Sequence, residues 1–247
     1  MNKREYSNYD MHYSRAGNKL IPLNKMQRNP DKYVLKRPWF PKDKSASILD
    51  FGCATGEQLA ELFVCGFENL TGVDLVDKSC QHARVKLADR AEIICADGVE
   101  WLEKNDAKYD LIITNDIIEH FAPGKEVNRF LAAIRKSLNL YARFTIRTPN
   151  MASIVAGYGR YIDVTHATGY TPISLVQLLE KEGFEDFQFV PDFWDIKALW
   201  RFYVPWKNTG IKIILNHILH RLFYMLAKQY IAYHIYNSNI EMSCKAK

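Results

Sequence analysis

Ile48-Leu49-Asp50-Phe51-Gly52-Cys53-Ala54-Thr55-Gly56 constrains this chain more than any other stretch. Four residues around one acid suit a short buried strand ending near Asp50. The small residues that follow form a turn where a backbone can approach a ligand closely. Glu57 to Phe63 is patterned as a helix, and Leu70 to Leu75 as a second strand with Asp74 near its C-terminal end. Strand, small-residue turn, helix, strand and acid form the half of a doubly wound sheet that holds a nucleoside, with the ribose diol on the second acid.

The spacing narrows the nucleoside. A dinucleotide site needs G-x-G-x-x-G, with backbone amides and a helix N-terminus offered to a pyrophosphate. Here the run is Asp-x-Gly-x-Ala-x-Gly, and Asp50 points an anion into the pocket, which repels pyrophosphate and attracts a cation. S-adenosyl-L-methionine is the nucleoside cofactor with a sulfonium and an ammonium group. Asp50 to Gly56 resembles the glycine-rich first motif of the class I S-adenosylmethionine-dependent methyltransferases, with Ala54 where that motif more often has Gly. The resemblance spans about residues 47–190. It implies that Asp50, Gly52, Cys53, Ala54 and Gly56 surround the methionine moiety and that Asp74 and Leu75 meet the ribose. It further implies that Asp97 and Gly98 meet the adenine, and that Asn115 and Asp116 lie beside the transferring methyl.

Strands and helices alternate along the chain in the manner of a parallel sheet. The expected fold is α/β, a doubly wound, seven-stranded, mostly parallel Rossmann-like sheet with an N-terminal cap and a C-terminal helical extension. The expected divisions are a cap over 1–46, a cofactor-binding core over 47–195 and a basic aromatic extension over 196–247. Asn29 to Leu35 begins a short helix with Pro30 at its first position. Thr171 and Pro172 open a later helix that ends at Gly183. Phe184 to Val190 reads as a late strand, and its hairpin partner is not evident.

Asn115-Asp116-Ile117-Ile118-Glu119-His120-Phe121 resembles the D-x-x-E-H-F pattern of many small-molecule methyltransferases. Asp163-Val164-Thr165-His166, with the helix from Thr171, resembles a D-x-T-H segment that faces the acceptor in several branches of the family. Transfer to a hydroxyl needs a base, and His is the usual one. The candidate catalytic residues are therefore His166, with Asp163 to orient it, and His120, for which a structural turn is an equal alternative. Arg147, Asn150, Arg160 and Tyr161 are weaker acceptor contacts, and the arginines suit an anionic or sugar-phosphate acceptor. No cluster has metal-ligand spacing, so no metal is expected.

The five cysteines form no C-x-x-C pair, and the net charge of +5 is mild. The cysteine usage argues for a reducing compartment and against a disulfide framework or a zinc site. The N-terminus has no signal-peptide pattern, and no segment offers the roughly 18 apolar residues of a membrane span. A cytoplasmic protein is expected. No N-P-P-F/Y-type motif follows the fourth strand, so nucleic acid is not the expected partner. From Ile196 to Ile240 there is no Asp or Glu, while Lys197, Arg201, Lys207, Lys212, Arg221 and Lys228 interrupt a helical apolar pattern. Such a stripe fits packing on the core or a homodimer. It also fits an interfacial helix on the inner face of an anionic membrane. Proteins with this core, the D-x-T-H segment and such a tail resemble bacterial enzymes of polysaccharide biosynthesis that decorate glycans or lipid-linked sugars. The expected activity is O-methylation of a sugar hydroxyl. The alternatives are methylation of a soluble quinone or natural product, and a binding module that has lost catalysis.

Overall fold

The computed structural model describes residues 37–190, 218–219, 221–226 and 238–247. The expected helix at 29–35 and most of the cap lie outside these residues. The chain opens with β1 (Ile48–Phe51), α1 (Glu57–Val64), β2 (Leu70–Asp74), α2 (Asp77–Leu87), β3 (Glu92–Cys95), α3 (Gly98–Lys104) and β4 (Tyr109–Asn115). It continues with α4 (Lys125–Lys136), β5 (Leu138–Pro149), α5 (Ala156–Tyr161), α6 (Pro172–Lys181), β6 (Phe184–Phe189) and β7 (Asn239–Ala246). The strands form one seven-stranded sheet in the order β3-β2-β1-β4-β5-β7-β6. β7 is antiparallel to both of its neighbours. The order reverses between β1 and β4, which opens a crevice at the C-terminal ends of the strands.

Alternation along β1 divides the core. Leu49 and Phe51 join the cluster under α4 and α6, whereas Ile48 joins the one under α1 and α2. The first cluster is held by a chain of aromatic rings. Phe51 meets Phe130 edge-on at 5.3 Å, Phe121 stacks on Phe130 at 4.5 Å, and Phe144 meets Phe184 at 5.6 Å. Each fully buried ring contributes about 1.5–3 kcal/mol through water exclusion. At α6 the expected start is realised as a full capping box: the Thr171 hydroxyl accepts from the Ser174 amide, and the Ser174 hydroxyl accepts from the Thr171 amide.

The expected extension over 196–247 is corrected by β7. Asn239–Ala246 lies inside the sheet between β5 and β6, so the core takes in the end of the chain and 190–238 is a connection between two core strands. The reason is visible in the alternation Ile240, Met242, Cys244, Ala246: the first three are buried in the aromatic cluster and Ala246 packs against it. Arg37 pairs with Glu241 and fastens the segment before β1 to this strand. Of the expected helical run in the connection, 218–219 and 221–226 are helical, and the rest lies outside the described residues.

Candidate functional site

The turn after β1 is built on three left-handed residues, Gly52 (φ 81°), Ala54 (φ 45°) and Gly56 (φ 80°). The Gly52 and Cys53 amides both donate to the Val73 carbonyl, at 2.8 and 3.1 Å. Asp74 holds the far side: Oδ2 accepts from the Ala54 amide at 2.9 Å and Oδ1 from the Val76 amide at 2.8 Å. A carboxylate has about four acceptor sites, so two such bonds leave room for a diol. Glycine is required at position 52, since a Cβ there would lie 2.2 Å from Ile117 Cδ1. The turn borders a cavity of about 870 Å³ that also takes in Leu75, Asp97, Gly98, Asn115, Asp116, Glu119, His120, Asp163 and His166. The fold thus brings every predicted catalytic and cofactor-binding residue except Gly56 to one cavity. Gly56 lies behind the turn, with Ala83 and Leu87 where a side chain would go.

Asp50 is 3% exposed, and its carboxyl accepts no hydrogen bond among the described residues. Burial, and next the Asp74 carboxylate, push it up to about 7. A buried acid without a protein donor in a ligand-sized cavity is completed by a cation, and the ammonium group of S-adenosylmethionine is one. The residues present therefore fit that cofactor. Asp97 caps α3, with Oδ1 accepting from the Val99 and Glu100 amides at 3.0 and 3.1 Å. Gly98 carries no side chain because the Phe51 ring stands where a Cβ would go, 2.5 Å from it. Cys53 offers only backbone: its side chain packs on Gly72, and burial holds the thiol well above its usual range.

The second half of the cavity wall comes from the turn after β4 and the loop after α5. Asp116 takes a left-handed conformation (φ 56°) and forms a two-point ion pair with Arg147. Glu119 is 1% exposed. Its Oε2 accepts from the Thr148 hydroxyl at 3.0 Å, while Oε1 has no partner among the described residues. Burial, and next Asp116, push this carboxyl up to about 8. The Glu119 carbonyl accepts from the Ala167 and Thr168 amides at 2.8 and 3.0 Å, which staples the D-x-T-H loop to the E-H turn. His120 and His166, far apart in sequence, come edge-to-face with centroids 4.9 Å apart.

Hydrogen bonding assigns the tautomers. His166 Nδ1 lies 3.0 Å from the Gly159 carbonyl, which can only accept, so this nitrogen carries the proton. The Thr165 hydroxyl donates to Asp163 Oδ1 at 2.7 Å and lies 3.0 Å from His120 Nδ1. Having spent its proton on Asp163, that hydroxyl accepts from His120 Nδ1–H. Nε2 is then the basic nitrogen of His166. His120 is held below its usual range by burial and next by His166, against the opposing pull of Asp163.

Several expectations change. Asp163 does not orient the His166 ring; it reaches His120 through Thr165, a residue that sequence reasoning passed over. Arg160 is not an acceptor contact, because its guanidinium donates to the His166 and Ala167 carbonyls and holds the loop. Arg147 is engaged by Asp116, so neither arginine supports the anionic acceptor. Tyr161 is 79% exposed and stands outside the cavity wall. Asn150 is buried and closes its own turn by accepting from the Ala152 amide. Where the sequence showed no ligand spacing, the fold also brings Glu119, His120 and His166 together, with one ligating atom from each within 4.8 Å of the others.

Comparison with known proteins agrees with this geometry. Residues 23–188 match a family described as a methyltransferase domain. A SAM-dependent methyltransferase from Archaeoglobus fulgidus superposes with a TM-score of 0.64 at 20% identity, covering 96% of this chain and 99% of that one. The plantazolicin methyltransferase BpumL in complex with SAH gives 0.60 at 20% identity, over 99% and 93%. The mitomycin 7-O-methyltransferase MmcR gives 0.52 at 17% identity, over 67% and 49%. These likenesses are of fold. No curated protein gives a significant match.

Proposed function

The chain belongs to the methyltransferase-domain family, with S-adenosylmethionine as its cofactor, and from that premise we propose an O-methyltransferase acting on a sugar hydroxyl of a glycan or lipid-linked precursor. The observation that carries the O-methyl reading is the His120–His166 pair beside the crevice, with the Asp163–Thr165 relay behind His120. When bound, the cofactor supplies an electrophilic methyl group on a sulfonium, which passes in line to the acceptor as the positive charge is lost.

Each protein group has a separate task in this reading. Asp50 receives the ammonium group, Asp74 the ribose diol, and the Gly52–Ala54 backbone lets the ligand lie close. Asp97 borders the adenine, where the Gly98 amide is the donor for a ring nitrogen because the Val99 amide is engaged by Asp97. Asn115 and Asp116 close the wall beside the reacting methyl. His120 Nε2 takes the acceptor proton, and the resulting imidazolium is supported through Thr165 by Asp163. His166, fixed by Gly159, is the second basic nitrogen and positions the hydroxyl. The His166 ring opposes protonation of His120, and Asp163 favours it.

Gln58, Glu61, Ser238 and Asn239 line part of the cavity, and such side chains can meet the hydroxyls of a sugar. Methylation of a hydroxyl on a soluble natural product uses the same machinery; the fold likeness to a mitomycin 7-O-methyltransferase favours that second reading. Calorimetric titration with S-adenosylhomocysteine tests the cofactor site, and no heat at millimolar ligand would end the proposal. Mass analysis of surface polysaccharide with and without the protein tests the acceptor, and unchanged methylation would turn the reading towards soluble acceptors.

A further inference from the structure

Two exposed apolar segments lie next to each other, and one of them rims the cavity. The first is α5 with the loop after it, where Tyr158 is 72% exposed, Tyr161 79% and Val164 98%. Tyr158 and the half-exposed Val155 and Ile162 also line the cavity, so this segment is its rim. The second is the helical residues 218–219 and 221–226 of the β6–β7 connection, where Leu222, Phe223, Met225 and Leu226 face solvent. The Tyr224 hydroxyl donates to the Ala152 carbonyl, in the turn that leads into α5. That bond sets the helix beside the rim.

Apolar and aromatic side chains gathered in this way mark an interaction surface. The charge of the connection selects the partner. Over 196–240 the chain has six Lys and Arg and no acid. That composition suits an anionic surface, which would neutralise it. Tyrosine and phenylalanine among leucines suit the boundary of a bilayer, where the ring is buried and the hydroxyl stays wet. Among the described residues no helix is long and apolar enough to cross a membrane, so contact is along the surface.

We propose that the α5 rim and the helical residues 221–226 dock on an anionic lipid surface with the cavity mouth facing the headgroups. An acceptor carried on a lipid then enters the site from the membrane plane. The docking stands on the exposed surface alone, and only the entry route rests on the O-methyl reading above.

Co-sedimentation of the full chain with phosphatidylglycerol-containing vesicles tests it, with pure phosphatidylcholine vesicles for comparison. Binding to the anionic vesicles is expected, weakening as salt is raised. Tyr161→Asp and Leu226→Asp each lower vesicle affinity about tenfold, equivalent to about 1.4 kcal/mol. Binding of S-adenosylhomocysteine stays unchanged in both, which shows that they fold. Absence of vesicle binding, equal binding to neutral vesicles, or indifference to both substitutions overturns the proposal. A dimer by light scattering that the same substitutions dissolve overturns it in favour of a second copy. Vesicle binding that persists while no lipid-linked sugar is methylated would remove the acceptor reading and leave the docking intact.

Discussion

Replacing Thr165 by Val removes one hydroxyl and almost no volume, and so isolates the link between Asp163 and His120. The hydroxyl makes two contacts, 3.0 Å to His120 Nδ1 and 2.7 Å to Asp163 Oδ1. Loss of such a bond to a group that becomes charged during reaction costs about 1–3 kcal/mol, which is about a five- to 150-fold fall in kcat. The pH profile separates this role from a packing defect. The base must be neutral to act, so activity rises with pH through its pKa. The Asp163 carboxylate raises the His120 pKa against the lowering effect of burial and His166. Breaking the relay therefore moves the acid limb to lower pH while the plateau drops. Asp163→Asn moves the limb the same way, and Thr165→Ser, which keeps the hydroxyl, restores most of the rate. An NMR titration of the His120 ring follows the pKa without an acceptor. A plateau that drops with no movement of the limb, or a Ser variant as slow as the Val one, would refute the relay.

Gly52→Ala places a methyl in a left-handed backbone and against Ile117, at a cost of about 2–5 kcal/mol. Thermal unfolding checks this, and a full-strength S-adenosylhomocysteine site in that variant would refute the tight turn. Asp50 is protonated below about 7 in the free protein, while an ammonium ligand favours its ionised form. Affinity for S-adenosylhomocysteine should rise about tenfold between pH 6 and 8, and Asp50→Asn should flatten that rise. The same raised pKa makes Asp50 favour the free fold below its unfolded value near 4, an advantage lost as pH rises through about 7, which denaturant titration across that range can follow. The base reading expects full activity in EDTA; activity lost there and restored by Mn²⁺ or Zn²⁺ would make Glu119, His120 and His166 metal ligands instead.

The legibility of the chain follows the range of the forces that shape each part. The glycine turn, the acid after the second strand and the Thr171 cap answer to local rules of backbone freedom and capping, and each stands where its residues pointed. β7 carried a readable signal in Ile240, Met242, Cys244 and Ala246. It was hidden because a long basic connection precedes it, and a strand's place in a sheet depends on its partner and not on its neighbours in sequence.

What the residues alone determined is a cationic nucleoside site on a doubly wound sheet. Asp50, the small-residue turn and Asp74 belong to one βαβ unit, so their spacing already sets their geometry. The acceptor side answers to packing instead. His120 and His166 come from different loops and meet because two amides clasp the Glu119 carbonyl. Asp163 serves His120 and not its neighbour His166, because a hydroxyl at 165 stands between the acid and the ring across the loop. Which histidine is supported, and which arginines are spent, depended on hydrogen bonds across long sequence separations, and those exist only once the chain has folded.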